Sequence, residues 1–415
     1  MSAPEATTTD LSRPPERRLV RLLGPAFVAA IAYVDPGNVA ANVSAGAKYQ
    51  YLLVWVLVAA NATAVIVQYL SAKLGVVTGR SLPELLGDHL PRAGRLAFWV
   101  QAELVAAATD IAEVIGGAIA LQILFAIPLL PGGVLIGATS IAILALQSAR
   151  GQRTFETLVI ALLAVITVGF VAGVVVSPVD WSAAAAGLVP RFTDSGSVLL
   201  AASMLGATVM PHAIYLHSAL ARDRHGTTVD PVRIRRLLRA TRLDVVLALV
   251  IAGSVNIAML LLAGSSLPGV AGTDTIEGAH AAIGAALGPV IAAVFGVGLL
   301  ASGLASTSVG AYAGATIMAG LLRVSVPLLV RRVVTLIPAL VILGFGVDPT
   351  LALVLSQVAL SLGIPFALIP LAVLTSRRAV MGAFANPIAL RVAALVVTLL
   401  IVALNLTLLV LTVAG

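Results

Sequence analysis

The stretch LLGPAFVAAIAYVDPGNVAANVSA, residues 22–45, is apolar over enough length to cross a bilayer, yet it carries Asp35-Pro36-Gly37-Asn38 near its middle. A carboxylate at membrane depth costs several kcal/mol on the gentlest insertion scale (about 2.5–3.5), so an acid kept there marks a substrate or ion pathway. Proline and glycine beside it free backbone carbonyls from the helical ladder, and such backbone is tolerated only in a cavity or inside packed protein. Carboxylate, side-chain amide and freed carbonyls make a set of oxygen ligands suited to a cation. The competing reading is a buried aspartate that caps a broken helix or pairs with a basic residue; no Lys or Arg lies within this span.

The rest of the chain fits that start. Of its 415 residues 60% are hydrophobic and only 10% charged, with a mean hydropathy of +1.08. An ordinary soluble domain is about 25% charged, so the composition is that of an integral membrane protein. The net charge of +7 comes from basic residues scattered between apolar spans. Such residues signal topology and not a nucleic-acid surface. There is no cysteine, hence no disulfide and no thiolate ligand. Residues 1–20 lack an apolar core; a disordered cytoplasmic tail without a cleavable signal is expected there.

Eleven apolar stretches have the length of helical spans: 22–46, 51–76, 94–126, 131–149, 155–177, 196–221, 243–265, 283–321, 325–345, 349–374 and 389–413. About twenty residues suffice for one crossing. Stretches 94–126 and 283–321 exceed that, and predict tilt or interfacial turns. With the N-terminus in the cytoplasm, only Lys48 and Arg191 of the 25 basic residues fall outside. That bias places the protein in the cell membrane with its C-terminus outside. The basic segment Arg233 to Arg242 reads as a cytoplasmic loop near anionic lipid. A second break, Met210-Pro211-His212, interrupts the sixth span, five spans after the first. Paired breaks at matching places in two halves point to a transporter site at the midplane. An odd number of spans per half inverts the halves. The expected fold is all-α, with a first repeat over 21–179, a second over 180–380 and an additional helix over 381–415.

Asp35 and Asn38, three apart, share a helical face. If the backbone unwinds at Pro36-Gly37, carbonyls of Ala32 or Tyr33 join them. Met210 alone would read as core packing; beside the second break its thioether disfavours Mg²⁺ and Ca²⁺ and suits softer transition metals. With carboxylate and carbonyl ligands the mixture points to Mn²⁺ or Fe²⁺. In QAELVAAATDIAEVIGG, residues 101–117, the acids Glu103, Asp110 and Glu113 occupy roughly one face of the third span. They suggest a proton relay, or pairing with Arg331 and Arg332 of the ninth span. His212 and His217 follow the second break; their gap of five does not match two-histidine chelation, so proton or gating roles are favoured. Gln357 in the tenth span either closes over the ion or ties two helices together.

These residues resemble the Nramp proteins, proton-coupled divalent metal transporters with a LeuT-like fold, with the bacterial manganese branch nearest. The resemblance runs from about Leu22 to Leu374 and rests on DPGN (35–38), TDIAEVIG (109–116), MPHAIYLHS (210–218) and the eighth-to-tenth-span motifs. It implies Asp35, Asn38 and Met210 as metal-ligating side chains, with carbonyls from Ala32 and Ala207. Tyr33 would neighbour the site, and Asp110, Glu113, Glu103, His212, Arg331 and Arg332 would form the proton pathway. Gln357 would approach the ion on closure of the outer side. Two positions depart from the family pattern: Ala213 follows His212 where an asparagine is usual, and Ala41-Asn42 stands where Thr-Asp is frequent. The function so implied is import of Mn²⁺, Fe²⁺ and Cd²⁺ by symport with protons through alternating access. The expected partners are the metal ion, protons and the lipid bilayer; no cofactor and no nucleic acid are expected, and a monomer is. An enzyme is disfavoured because neither HExxH nor a GxSxG elbow occurs, and two facing broken helices fit a carrier better than a channel.

Overall fold

The computed structural model describes residues 24–150, 152–273, 275–324 and 326–414. The tail, the first two residues of the first span, Arg13, Arg17, Arg18, Arg21 and Gly415 lie outside the described residues, as do the side chains of Arg150 and Arg153.

In chain order the helices are α1 (Pro25–Ile31), a 3₁₀ turn Ala32–Val34, α2 (Pro36–Tyr49), α3 (Val54–Thr78), α4 (Leu82–His89), α5 (Arg92–Phe125), α6 (Leu129–Arg150) and α7 (Gln152–Val176). There follow α8 (Trp181–Ala186), α9 (Ser195–Thr208), α10 (Pro211–His225), α11 (Pro231–Ser266), α12 (Ile276–Leu287) and α13 (Pro289–Leu322). The last are α14 (Leu328–Gly344), α15 (Pro349–Ser376), α16 (Arg378–Met381) and α17 (Ile388–Ala414). Nine helical segments among the described residues are long and apolar enough to span a membrane, Ser195–His225 counting as one. Two expected spans fall short of that criterion for local reasons. The first is cut into α1 and α2, and α14 has only 17 residues.

Both breaks have the same cause. Asp35 (φ −70°, ψ 167°) and Met210 (φ −72°, ψ 123°) are extended, and each precedes a proline that opens the next helix. The proline ring excludes the residue before it from the helical region, while its own fixed φ suits the first helical position. The break in each pair therefore falls on the candidate ligand itself. At the first one it lies at Asp35, and Pro36 and Gly37 are already part of α2.

Three further departures are local. The long stretch 283–321 divides at Gly288, whose φ of +93° ends α12 before Pro289 starts α13. Stretch 94–126 stays one helix of 34 residues, about 50 Å at 1.5 Å per residue, so it tilts or projects beyond a core about 30 Å thick. The basic segment 233–242 is not a loop but the first turns of α11, because Asp230 accepts hydrogen bonds from the N–H groups of Val232 and Arg233.

The helices that carry the breaks are enclosed by α3, α5, α11, α13 and α15. Small residues permit this: a Cβ on Gly116 would stand 2.0 Å from Cβ of Pro36, and one on Gly206 2.1 Å from the carbonyl oxygen of Gln357. Close approach through small residues is how membrane helices gain packing energy where no hydrophobic effect separates them from lipid.

At one end of the bundle Tyr49 donates its hydroxyl to Asp194 Oδ1 (2.6 Å), and Asp194 also caps α9 through the N–H of Ser197. The Tyr49 hydrogen bond, then the Ser197 N–H, hold the Asp194 carboxyl below the usual carboxylate range. A depressed folded-state pKa contributes stability above the unfolded value and loses it as pH falls through the folded one. The tie between α2 and α9 is thus expected to be intact at neutral pH and to release in acid below about pH 4. Tyrosine fluorescence of Tyr49 in wild type and in Asp194→Asn, titrated from pH 7 to 3, checks this; a transition of the same midpoint in both would refute it.

Candidate metal site

Asp35 is buried and acts first as a cap. Its Oδ1 accepts from the backbone N–H of Asn38 and from the Asn38 side-chain amide, both at 2.8 Å. The same Asn38 Nδ2 donates to the carbonyl oxygen of Ala207 at 2.8 Å. One amide therefore bridges the start of α2 to the end of α9, three residues short of Met210. Met210 is fully buried at the second break. On another side Gln357 of α15 directs Nε2 to Asp35 Oδ2 at 3.4 Å. Gly37 allows this, since a Cβ there would lie 1.7 Å from Gln357 Nε2.

The arrangement has a surplus of acceptors. Asn38 Oδ1 and Gln357 Oε1 are buried side-chain oxygens without hydrogen-bond partners, which is costly unless something electropositive meets them. Among the described residues no three His, Asp or Glu side chains gather, so a cation here would depend on one carboxylate, two amide oxygens, carbonyls and a thioether. The carbonyls freed by the first break are held from outside: Tyr33 O accepts from Asn256 Nδ2 (2.7 Å) and Val34 O from Ser302 Oγ (2.5 Å). Asn42, the departure noted above, is buried and donates to Asn256 Oδ1 at 3.0 Å. It extends this scaffold inside the packed helices.

A second polar layer joins Tyr33, α3 and α10. Gln68 donates its amide to the Tyr33 hydroxyl, and its Oε1 meets Nδ1 of His217 at 2.7 Å. Tyr33 and His217 are thus two ends of one linkage. The amino end of α1 is held as well: Asp244 of α11 accepts from the N–H groups of Gly24 and Ala26, both at 3.0 Å.

The third-span acids run away from the breaks along α5. Glu113 lies within electrostatic reach of Asp35 and Asp110, against Gly310 of α13, where a Cβ would come 3.0 Å from its carboxylate. Asp110 accepts from Arg332 Nη1 at 2.9 Å, and Arg332 Nε donates to Ser140 Oγ at 2.8 Å; all three are buried. Glu103 accepts from Arg331 Nη2 at 2.6 Å and is a quarter exposed. From Glu113 to Glu103 is ten residues, about 15 Å of helix. His212 stands across from Thr109, Nδ1 to Oγ1 at 3.4 Å, and its Nε2 is a buried atom without a partner. Each arginine thus takes one acid, Arg332 pairing with Asp110 and Arg331 with Glu103, and among the described residues no arginine pairs with Glu113.

The structure brings Asp35, Asn38, Ala207 and Gln357 into direct contact and places Met210 at the paired break. Ala32 is buried at the end of α1. Sequence reading missed Gln68, Asn256, Ser302 and Asp244. Their signal was available: each is a polar side chain within or at the edge of an apolar span.

A family model described as natural resistance-associated macrophage protein-like (Nramp) matches residues 26–411. The divalent metal cation transporter MntH of Mycobacterium tuberculosis H37Rv is 60% identical over 394 residues, covering 95% of this chain and 92% of that one. MntH of Bacillus subtilis 168 is 45% identical, covering 95% and 93%. Among solved structures, a manganese transporter of Eremococcus coleocola in complex with an aromatic bis-isothiourea compound superposes with a TM-score of 0.86 at 30% identity, over 95% of this chain and 88% of that one. MhsT in complex with L-phenylalanine superposes with a TM-score of 0.59 at 16% identity, over 94% and 99%, which is a likeness of fold alone.

Proposed function

Since this chain belongs to the Nramp family, as a multi-pass membrane transporter for divalent metal cations and not an enzyme, we propose that it imports Mn²⁺, with Fe²⁺ and Cd²⁺ as further cargo, by symport with protons through alternating access. The observation that carries the reading is the Asn38 amide lying between Asp35 and the Ala207 carbonyl, one on each broken helix. Its two N–H bonds stand where a cation would draw the same two oxygens. Rotation of that amide turns the unpartnered Oδ1 inward, so a divalent ion replaces the amide hydrogens and gains a ligand. Met210 and the Ala32 carbonyl complete the set. The thioether makes the site a poor one for Mg²⁺ and Ca²⁺, which keep hard oxygen ligands.

Gln357, pressed on Gly37, closes the site on one side, and the Tyr33–Gln68–His217 linkage closes it on the other. Opening either side requires those contacts to part while the other set holds, which is alternating access in terms of side chains. A proton leaves or joins Asp35 as the cation binds. Glu113 is its next stop, followed by the Asp110–Arg332 and Glu103–Arg331 pairs, with His212 at the junction. The basic ends of the helices face the cytoplasm of a cell whose plasma membrane the chain spans, the C-terminus lies outside, and the chain acts as a monomer. The two inverted repeats occupy 21–179 and 180–380, with 381–415 added. Asn42 in place of an acid lowers the attraction for cations from outside, because its amide carries no charge and is turned to Asn256.

Purified protein in liposomes with an imposed inward-acid gradient tests the function. Saturable Mn²⁺ uptake that acidifies the interior is expected; ohmic single-channel current would overturn the carrier reading. For Met210→Ala the expected outcome is a change of selectivity more than of rate. Competition by Mg²⁺ or Ca²⁺ against Mn²⁺ rises by about tenfold, the equivalent of 1.4 kcal/mol. Unchanged competition would remove the thioether from the ligand set.

A further inference from the structure

We propose that the junction of α3, α11 and α17 binds one anionic phospholipid, its phosphate held by Lys73, Arg242 and Arg391 and an acyl chain lying between the helices. Two adjoining hollows meet there at Pro387. One, of about 590 Å³, is a groove walled by Ile66, Val245, Val246, Leu390 and Ala393, with Tyr69, Lys73 and Arg242 toward the basic end of the bundle. The other, of about 580 Å³, is mostly polar and lined by Arg378, Asn386 and Arg391 among others.

Pro387 lines both hollows, and the residues of α3 and of α11 that line the groove lie on one face of each helix. Ile66, Tyr69 and Lys73 follow each other at i, i+3 and i+7 on α3, and Arg242, Val245 and Val246 at i, i+3 and i+4 on α11, so each helix presents a cation at one end of an apolar stripe. Asn386 organises the polar end. Its Oδ1 accepts from Lys73 Nζ and its carbonyl oxygen from Arg391 Nε, both at 2.7 Å. A lysine ammonium has three donors and a guanidinium five, so both cations keep donors for a further acceptor. Lys73 is buried, and among the described residues no carboxylate pairs with Lys73, Arg242, Arg378 or Arg391. Asp244, two residues from Arg242, is turned to the N–H groups of Gly24 and Ala26.

A buried ammonium without a counter-ion is expensive, and a phosphodiester would supply that charge. The apolar wall running directly from the cations selects a lipid over a soluble phosphate, and basic pockets between helices at a membrane face are suited to such head groups. The inference is independent of the metal reading, since none of these residues touches the site at Asp35.

The full chain in detergent, examined by native mass spectrometry with dioleoyl phosphatidylglycerol, dioleoyl phosphatidylcholine and glycerol 3-phosphate, tests it. One phosphatidylglycerol retained per chain is expected, under conditions where phosphatidylcholine is lost. Arg242→Gln with Arg391→Gln lowers retention by about tenfold or more. Ala393→Trp does the same with every charge in place, by filling the groove, and Arg235→Gln with Arg239→Gln, at the same end of α11, leaves retention unchanged. Thermal unfolding in phosphatidylcholine micelles confirms that each variant is folded. Equal retention of the two lipids, displacement by glycerol 3-phosphate, or wild-type retention in the Arg242/Arg391 double variant would each overturn the proposal.

Discussion

Asp35→Ala is expected to abolish Mn²⁺ uptake and to weaken Mn²⁺ binding by more than about 100-fold. A residue that merely supports a metal ligand costs about 10–100-fold in affinity when removed, and among the described residues Asp35 is the one carboxylate at the junction of the two broken helices. The same substitution removes the side-chain cap of α2, worth about 1 kcal/mol, so a loss of uptake alone would not separate the two roles. Asp35→Asn does. Asparagine caps helices as well as aspartate, and it keeps an oxygen at the same place without the charge. If charge on the ligand is what counts, Asp35→Asn retains the wild-type unfolding temperature but loses binding in isothermal titration. Mn²⁺ binding in Asp35→Asn within a factor of two of wild type would return Asp35 to a structural cap.

Arg332→Met is expected to destabilise the protein by about 3–5 kcal/mol, the usual consequence of leaving one partner of a buried ion pair alone. Arg332 is fully buried, and its guanidinium is divided between Asp110 and Ser140. Methionine fills similar volume but leaves Asp110 without its cation. Removing both charges often restores stability, because the desolvation of two ions is then avoided. The double variant Arg332→Met/Asp110→Asn is therefore expected to unfold near the wild-type temperature while transporting Mn²⁺ with diminished proton flux. Thermal unfolding and pH-dye measurements in liposomes give the two readouts. A double variant as unstable as the single one would mean that Arg332 stabilises by packing; unchanged proton flux would take Asp110 out of the pathway.

Much of this was open to reading in the linear sequence, for physical reasons that can be named. A bilayer leaves only helices for a chain of this composition, so apolar length located most spans closely, as with 51–76 against Val54–Thr78 and 349–374 against Pro349–Ser376, whereas α11 starts twelve residues ahead of the stretch 243–265 and the stretch 283–321 is divided between α12 and α13. Proline announces a broken helix wherever it stands inside an apolar run, and an acid beside it is too costly to be incidental. Those two rules found Asp35 and Met210. The same logic applied to amides and hydroxyls would have found Gln68, Asn256 and Ser302, whose desolvation is cheaper and whose signal is correspondingly weaker.

Sequence by itself thus determined the span order, the paired breaks, the candidate ligand types and the acids of α5, because each follows from local chain chemistry set against a hydrocarbon solvent. It could not say which partners those groups find. That Asn38 reaches Ala207, that Gln357 lies on Gly37, that Arg332 takes Asp110 while Arg331 takes Glu103, and that Gln68 joins Tyr33 to His217 are relations between residues 35 to 322 positions apart. Only the tertiary packing decided them, because hydrogen bonds and ion pairs act over about 3 Å and depend on which helix faces are brought together, which no single span records.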